Sequence, residues 1–105
     1  MITLPDSIDM DSSRLIESSI IPELDKQNKD VVLDFSKTSA IYSSGLGLVI
    51  RVKNRVQATG HALYLVNLSD RLKEALVNVG LHQVLETFNG LDELKAVLDE
   101  RSGGE

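Results

Sequence analysis

The chain has 105 residues, 42% of them hydrophobic, which is enough for one domain with a small core. Its formal net charge of −5 argues against nucleic acid or an anionic membrane surface as a partner, because both bind basic surfaces. Cysteine is absent, so disulfide bonds and thiolate chemistry are excluded. Neither a leader-like segment nor an apolar stretch of roughly 18 residues is visible, and we therefore expect a soluble cytoplasmic protein without membrane insertion.

The first third of the chain alternates short apolar runs with helical spacing. Residues 2 to 4 are typical of a short strand, and residues 6 to 9 of a turn. Apolar residues spaced by three and four predict a helix over about 11 to 27, in which Pro22 should cause a kink or a break. Residues 31 to 35 are apolar almost throughout, which is typical of a buried parallel strand.

The rest of the chain repeats this alternation. The further predicted elements are helices over 44–58, 69–79 and 91–100 and strands over 62–66 and 84–88. Gly60 and Gly80 should end two of these helices as C-terminal caps. Strands and helices that alternate through short links predict a parallel or mixed sheet. We expect a small mixed four-stranded sheet with about four helices on one side, in a domain over 1–100 followed by a disordered tail over 101–105.

The core of this domain can also be predicted from the apolar spacing. The predicted core residues are Leu15, Ile16, Ile20, Val32, Leu33, Leu46, Val49, Ile50, Leu63, Leu65, Leu72, Leu76, Val84 and Leu94.

Two serines, Ser43 and Ser44, stand where the second predicted helix begins. The N-terminus of a helix has unpaired backbone N–H groups and a partial positive charge, so it accommodates a phosphate well. A serine at this place is therefore a candidate for phosphorylation. The alternative interpretation is that Ser43 or Ser44 is an N-cap, which is a very common role for serine.

The sequence offers little support for any other functional site. Neither His61 nor His82 has a partner at metal-ligand spacing, and we predict no metal site. The acidic residues near the C-terminus are typical of a solvated surface. The sequence contains no P-loop, no dinucleotide fingerprint and no pairing of nucleophile and base, so we predict neither a cofactor nor catalysis.

Over about residues 2 to 100 the chain resembles the STAS domain family, whose fold is shared by sulphate transporters and anti-sigma factor antagonists. The run from Ser43 to Gly47 matches the Ser-Ser-Gly-Leu-Gly that opens the signature helix of the family. Ile8 and Asp9 match the end of its Gly-Glu-Leu-Asp turn. The other similar segments are 31–36, Gly60, 63–67, Ser69 and 80–81, in the order and spacing of the family.

This resemblance implies a function. In the antagonist branch, the first serine of the motif is phosphorylated by a kinase that is also the anti-sigma factor, and a PP2C-type phosphatase resets it. The unphosphorylated antagonist captures the kinase and frees the sigma factor. By this resemblance the phosphoacceptor is Ser43, and the partner-binding residues are Asp9, Tyr42, Ser43, Ser44, Gly45 and Leu46. Gly45 would allow close approach of a partner, and Asp9 and Asp34 would lie near the site.

The chain departs from the family at two places. Tyr42 stands where the family usually has an acidic residue before the first serine. This difference puts phosphorylation, or the identity of the kinase, in question. The N-terminal strand and hairpin of most relatives are shortened to residues 1 to 4. One sheet edge would then be open, and a homodimer through that edge is a further expectation.

Two alternatives remain open beside the antagonist. The first is a STAS module that is never phosphorylated, in a lipid-transport complex or as a scaffold, which the Tyr42 difference favours. The second is a small enzyme or nucleotide-binding protein, which no residue in the sequence supports. Neighbouring genes for a kinase and a sigma factor would favour the antagonist, and transporter genes the non-phosphorylated module.

Overall fold

A computed structural model describes residues 2–27 and 29–103 of the chain. The strands in this part are β1 Ile2–Thr3, β2 Ser7–Ile8, β3 Val31–Asp34, β4 Ala40–Ile41, β5 Leu63–Val66 and β6 Glu86–Phe88. The α-helices are α1 Met10–Gln27, α2 Ser43–Ala58, α3 Asp70–Asn78 and α4 Leu91–Gly103. A 3₁₀ turn over Leu81–Gln83 follows α3.

Four strands form the main sheet in the order β1-β3-β5-β6. The predicted α/β class, with a four-stranded sheet and four helices, is confirmed. The expectation of a mixed sheet was wrong, because each pairing of the described strands is parallel. The reason is that a helix connects each strand to the next strand of this sheet, and such a crossover returns the chain in the same direction.

A second sheet consists of β2 and β4, two residues each, paired in parallel with Ser7 opposite Ala40 and Ile8 opposite Ile41. The sequence predicted a turn over 6–9 and nothing at 40–41, so this pair was missed. Two residues are too short to show a period of two. Ile8 is fully buried, and the pair thereby anchors the chain just before α1 and just before α2.

The main sheet is covered on both faces. Leu33 and Leu65 belong to the larger core cluster, which includes the buried residues of α1, α2 and α3. The other face carries a smaller cluster of Tyr64, Val66, Phe88 and Leu94, with Val32, Leu91, Val97 and Leu98 packed against it. Helix α4 therefore covers the opposite face, and the expectation of helices on one side was wrong. The physical reason is that β5 is buried at every position, so both of its faces need cover.

Most of the predicted core is confirmed, and two members are wrong. Leu15 is 70% exposed and Val84 is 52% exposed. Leu15 lies on the outer side of α1, whose inner side places Ser13, Ile20 and Leu24 in the interior. Val84 belongs to the link between the 3₁₀ turn and β6. Of the others, Ile16, Val32, Leu46 and Ile50 are partly buried and the remaining eight are buried.

Two boundaries also differ from the prediction. Helix α1 runs from Met10 to Gln27 without the break expected at Pro22. Ile20 and Leu24, buried on either side of that residue, hold the helix on the core. Helix α4 extends to Gly103, so residues 101 to 103 are helical where a disordered tail was expected. There the Arg101 Nη2 donates to the Glu86 Oε1 at 2.8 Å. Residues 104 and 105 of the expected tail lie outside the described residues.

Candidate functional site

Helix α2 begins at Ser43, one residue earlier than the sequence predicted. Tyr42 occupies the N-cap position with an extended backbone, φ −105° and ψ 175°, and its side chain makes no capping hydrogen bond. Ser43 and Ser44 are therefore the first two helical residues. The interpretation of either serine as an N-cap was wrong.

The start of α2 leaves several polar groups available. Ser43 is exposed and Ser44 is half-buried, and neither hydroxyl has a hydrogen-bond partner among the described residues. The Leu46 N–H donates to the Tyr42 carbonyl at 3.0 Å, which closes the first turn. Within the described part of the chain, the N–H groups of Ser43, Ser44 and Gly45 have no acceptor. Three free amides at the positive end of a helix are favourable for a phosphoryl group.

The pair of short strands holds this helix start in place. The Tyr42 N–H donates to the Ile8 carbonyl at 3.1 Å, directly beyond the Ile8–Ile41 pair. Gly45 packs on the same pair, because a Cβ there would lie 2.7 Å from the Ile41 Cγ1 and 2.8 Å from the Ile8 carbonyl oxygen. Gly45 is buried, so its role is to let α2 approach β2 and β4. That Gly45 also lets a partner approach stays a prediction.

Asp9 lies at the same edge, because it follows Ile8 as Tyr42 follows Ile41. Its Oδ1 accepts from the Ser12 N–H at 3.0 Å and from the Ser12 hydroxyl at 2.9 Å, while the Ser12 Oγ accepts from the Asp9 N–H at 3.0 Å. This reciprocal arrangement is a capping box at the start of α1. The Ser12 amide, followed by the Ser12 hydroxyl, holds the pKa of the exposed Asp9 carboxyl below its usual value. Asp9 therefore adds a fixed negative charge to this edge.

The carboxylate of Asp34, at the end of β3, is held by several hydrogen bonds, and its nearness to the serine motif stays a prediction. This buried carboxylate accepts from the Asn67 Nδ2 at 2.8 Å, from the Ser36 N–H at 3.0 Å and from the Thr3 hydroxyl at 3.3 Å. The Asn67 amide leads the contacts that hold the pKa of Asp34 below its usual value, against the effect of burial. Its described hydrogen-bond partners lie outside the 42–46 segment, so Asp34 joins the ends of β1, β3 and β5.

An apolar groove adjoins Ser43 and was not predicted. The groove has a volume of about 260 Å³ and is lined by Ser43, Leu46, Gly47, Ile50, Val79 and Leu81. Val79 and Tyr42 are more than half exposed. We call this surface the α2–α3 groove. Leu46 was predicted from the motif, but Val79 and Leu81 were missed because they approach α2 only in the folded chain. The sequence feature that could have indicated the groove is Val79, an apolar residue at the end of a predicted helix, directly before Gly80.

The two histidines lie apart from the start of α2. The His61 Nδ1 lies 3.4 Å from the Asp30 Oδ1, and His82 is exposed in the 3₁₀ turn. Over the described ranges, no group of three potential ligand side chains could hold a metal ion. No helix there is long and apolar enough to cross a membrane.

Comparison with solved structures shows which proteins share this fold. A candidate anti-sigma factor antagonist from Thermotoga maritima is 20% identical, with a TM-score of 0.80 over 89% of this chain and 81% of that one. The anti-sigma factor antagonist SpoIIAA in its unphosphorylated form is 19% identical, with a TM-score of 0.70 over 94% and 86%. The phosphorylated form, from Bacillus, has a TM-score of 0.67.

A transporter is also similar in structure. The murine Solute Carrier 26 family member A9, an anion transporter, is 17% identical, with a TM-score of 0.75 over 95% of this chain but 17% of the transporter chain. At these identities the likeness extends to the fold alone. A search of curated proteins finds no match. The family profile described as STAS domain matches residues 1–94. The chain therefore belongs to the STAS domain family.

Proposed function

We propose that this STAS domain is an anti-sigma factor antagonist, a binding module whose affinity for a serine kinase is switched by phosphorylation of Ser43. The observation that carries the proposal is the exposed Ser43 hydroxyl, without a partner in the described structure, on the first residue of an uncapped helix. A kinase can reach this hydroxyl, and the fold tolerates the product. We propose binding rather than catalysis as its activity.

The charge of a phosphate explains how the switch works. Phosphorylation adds a charge of about −1.5 to −2, which the free amides and the dipole of α2 stabilise within the chain. At an interface the same charge must lose its hydration or face acidic groups, and Asp9 already makes this edge negative. Each ~1.4 kcal/mol of interface free energy changes affinity tenfold. Phosphorylation can therefore abolish binding while leaving the fold intact.

The surface proposed for the kinase extends from Asp9 across the start of α2 into the α2–α3 groove. Tyr42, exposed by 56%, presents an aromatic side chain directly before Ser43 in the chain. Tyrosine is enriched among residues that contribute most to interfaces. Ser43 and Leu46 line the groove. In this proposal the kinase is also an anti-sigma factor, a PP2C-type phosphatase removes the phosphate, and the exchange takes place in the cytoplasm.

Phosphorylation in vitro tests this proposal. The purified chain is incubated with candidate anti-sigma kinases and ATP, and the product is analysed by intact mass and peptide mapping. We expect one phosphate on Ser43, which Ser43→Ala removes and the matched variant Ser44→Ala retains. Ser43→Ala should still bind the kinase, whereas Ser43→Asp should weaken binding by roughly tenfold or more. A phosphate mapped to Ser44 or Tyr42 would contradict the assignment.

A second candidate function is a STAS module that is never phosphorylated. Two observations favour it: Tyr42 replaces the usual acidic residue, and the anion transporter named above contains a similar domain. In this case the α2–α3 groove would bind its partner constitutively. The same experiment separates the two functions, since a partner that binds Ser43→Asp as tightly as the unmodified chain supports the second.

A further inference from the structure

The outer edge of β1 is open in the described structure, because β1 stands at one end of the main sheet. Thr3 pairs with Asp34, and the Leu4 N–H donates to the Asp34 carbonyl at 2.9 Å. Successive residues of a parallel strand direct their backbone groups to alternate sides, so the N–H and C=O of Thr3 point away from β3. An edge with free donors and acceptors pairs readily with another strand.

Beside this edge, one side of α1 presents four exposed residues without charge. A groove of about 270 Å³ lies between the two elements and is lined by Ile2, Thr3, Leu4, Leu15, Ile16, Ser19 and Ile20. Helical spacing places Leu15, Ser18, Ser19 and Pro22 on one side of α1, and all four are exposed. None of these four side chains is charged. Leu15, at 70%, is the most exposed of the large hydrophobic residues described.

The charges at the ends of this face are complementary to a second copy of the chain. Asp11 lies one helical turn before Leu15 and Lys26 one turn after Pro22, and both are exposed. Two α1 helices packed antiparallel would place Asp11 of each copy opposite Lys26 of the other. The two-fold axis would pass near Ser18 and Ser19, midway between the two charges.

We propose that the open edge of β1 and this side of α1 form a two-fold symmetric dimer of the chain. The two Thr3 residues pair antiparallel and exchange two N–H···O=C hydrogen bonds, which joins the two sheets into one. Leu15 of each copy is covered by α1 of the other. Ser43 takes no part in this contact. A test of the dimer is therefore independent of a test of the proposed phosphorylation switch.

Sedimentation velocity over a concentration series tests the dimer. Thr3→Pro removes an N–H that the chain itself does not use, and proline is tolerated on an edge strand. Because this substitution also removes the Thr3 hydroxyl bond to Asp34, its control is Thr3→Val, which loses the same bond and keeps the N–H. We expect Thr3→Pro to weaken dimerisation by roughly tenfold or more relative to Thr3→Val. Leu15→Lys should have the same effect. Val77→Lys, which changes a residue 53% exposed on α3, is the matched control and should leave the dimer intact.

The position of the axis can be tested independently, because the chain contains no cysteine. Under mild oxidation Ser19→Cys should form a disulfide between two copies, whereas Asn78→Cys, exposed on α3, should not. A monomer at every concentration would overturn the proposal. So would a dimer that Thr3→Pro and Leu15→Lys leave unchanged, or one that Asn78→Cys captures and Ser19→Cys does not.

Discussion

Helices α1 and α2 start in similar positions and differ in how their N-termini are completed. Each follows one strand of the β2–β4 pair. At α1, Asp9 and Ser12 exchange hydrogen bonds and satisfy amides of the first turn. At α2, Tyr42 holds the same position without a side-chain bond, and the Ser43 hydroxyl is free. The same small sheet thus positions one helix start whose amides are capped by side chains and one whose amides are free. The side chain at the N-cap position determines the difference.

The largest expected effect comes from Gly45, the residue through which α2 contacts that small sheet. In Gly45→Ala the new Cβ would lie 2.8 Å from the Ile8 carbonyl oxygen, so backbone must move. We expect a loss of about 1–3 kcal/mol in the free energy of unfolding, measured by urea denaturation. The matched variant is Gly47→Ala, whose Cβ meets the flexible Arg51 guanidinium at 3.2 Å. It should gain up to ~1 kcal/mol from helix propensity. Equal effects of the two variants would mean that α2 does not depend on this close approach.

A smaller effect is expected at Tyr42, because the open helix start can be closed by one substitution. Tyr42→Asn supplies a side-chain oxygen at the N-cap position, where it can accept from the amides that Tyr42 leaves free. We expect the free energy of unfolding to rise by about 1 kcal/mol. Tyr42→Phe, which also lacks such an oxygen, is the control and should not be stabilised. An asparagine variant no more stable than the phenylalanine variant would show that the amides of α2 are already satisfied.

The smallest expected effect is a difference in acid sensitivity between the two helix starts. The pKa of Asp9 is lowered in the folded chain, chiefly by the Ser12 amide. Its contribution is therefore complete above the unfolded pKa, and it is lost as the pH falls through the folded pKa. Wild type should exceed Asp9→Asn in melting temperature at pH 6, and this difference should decrease as the pH falls below the unfolded pKa. If wild type still melts at a higher temperature than Asp9→Asn at low pH, the contribution of Asp9 to stability comes from packing instead of its charge.

Much of the fold could be predicted from the sequence because it depends on long periodic segments. Helices α1 and α2 each extend over four or more turns, and β3 and β5 are apolar runs bounded by polar residues. Such patterns report which side of an element is buried. The errors arose where the pattern was short or ambiguous. β2 and β4 have two residues each, and Leu15 is apolar on an exposed face while Ser13 is buried.

The candidate site was predicted in part, since the serine motif itself marks the start of α2. Ser43, Ser44 and Leu46 lie together there, and the β2–β4 pair brings Asp9 to the same edge. The roles of Gly45 and Asp34 could not be read from the motif. Gly45 is defined by a contact with Ile8, 37 positions earlier in the chain. Asp34 is defined by hydrogen bonds to Thr3 on β1 and to Asn67 directly after β5.

By itself, the sequence determined the alternation of strands and helices, the burial of the strands β3 and β5, and the position of the serine motif. Local periodicity and chain connectivity carry this information. The tertiary structure decided that α4 covers the second face of the sheet, that Tyr42 rather than a serine occupies the N-cap position, and that Val79 and Leu81 join Ser43 in one groove. These features depend on pairs of segments far apart in the chain. Their contacts are chosen by the burial of the whole core, which no short window of residues specifies.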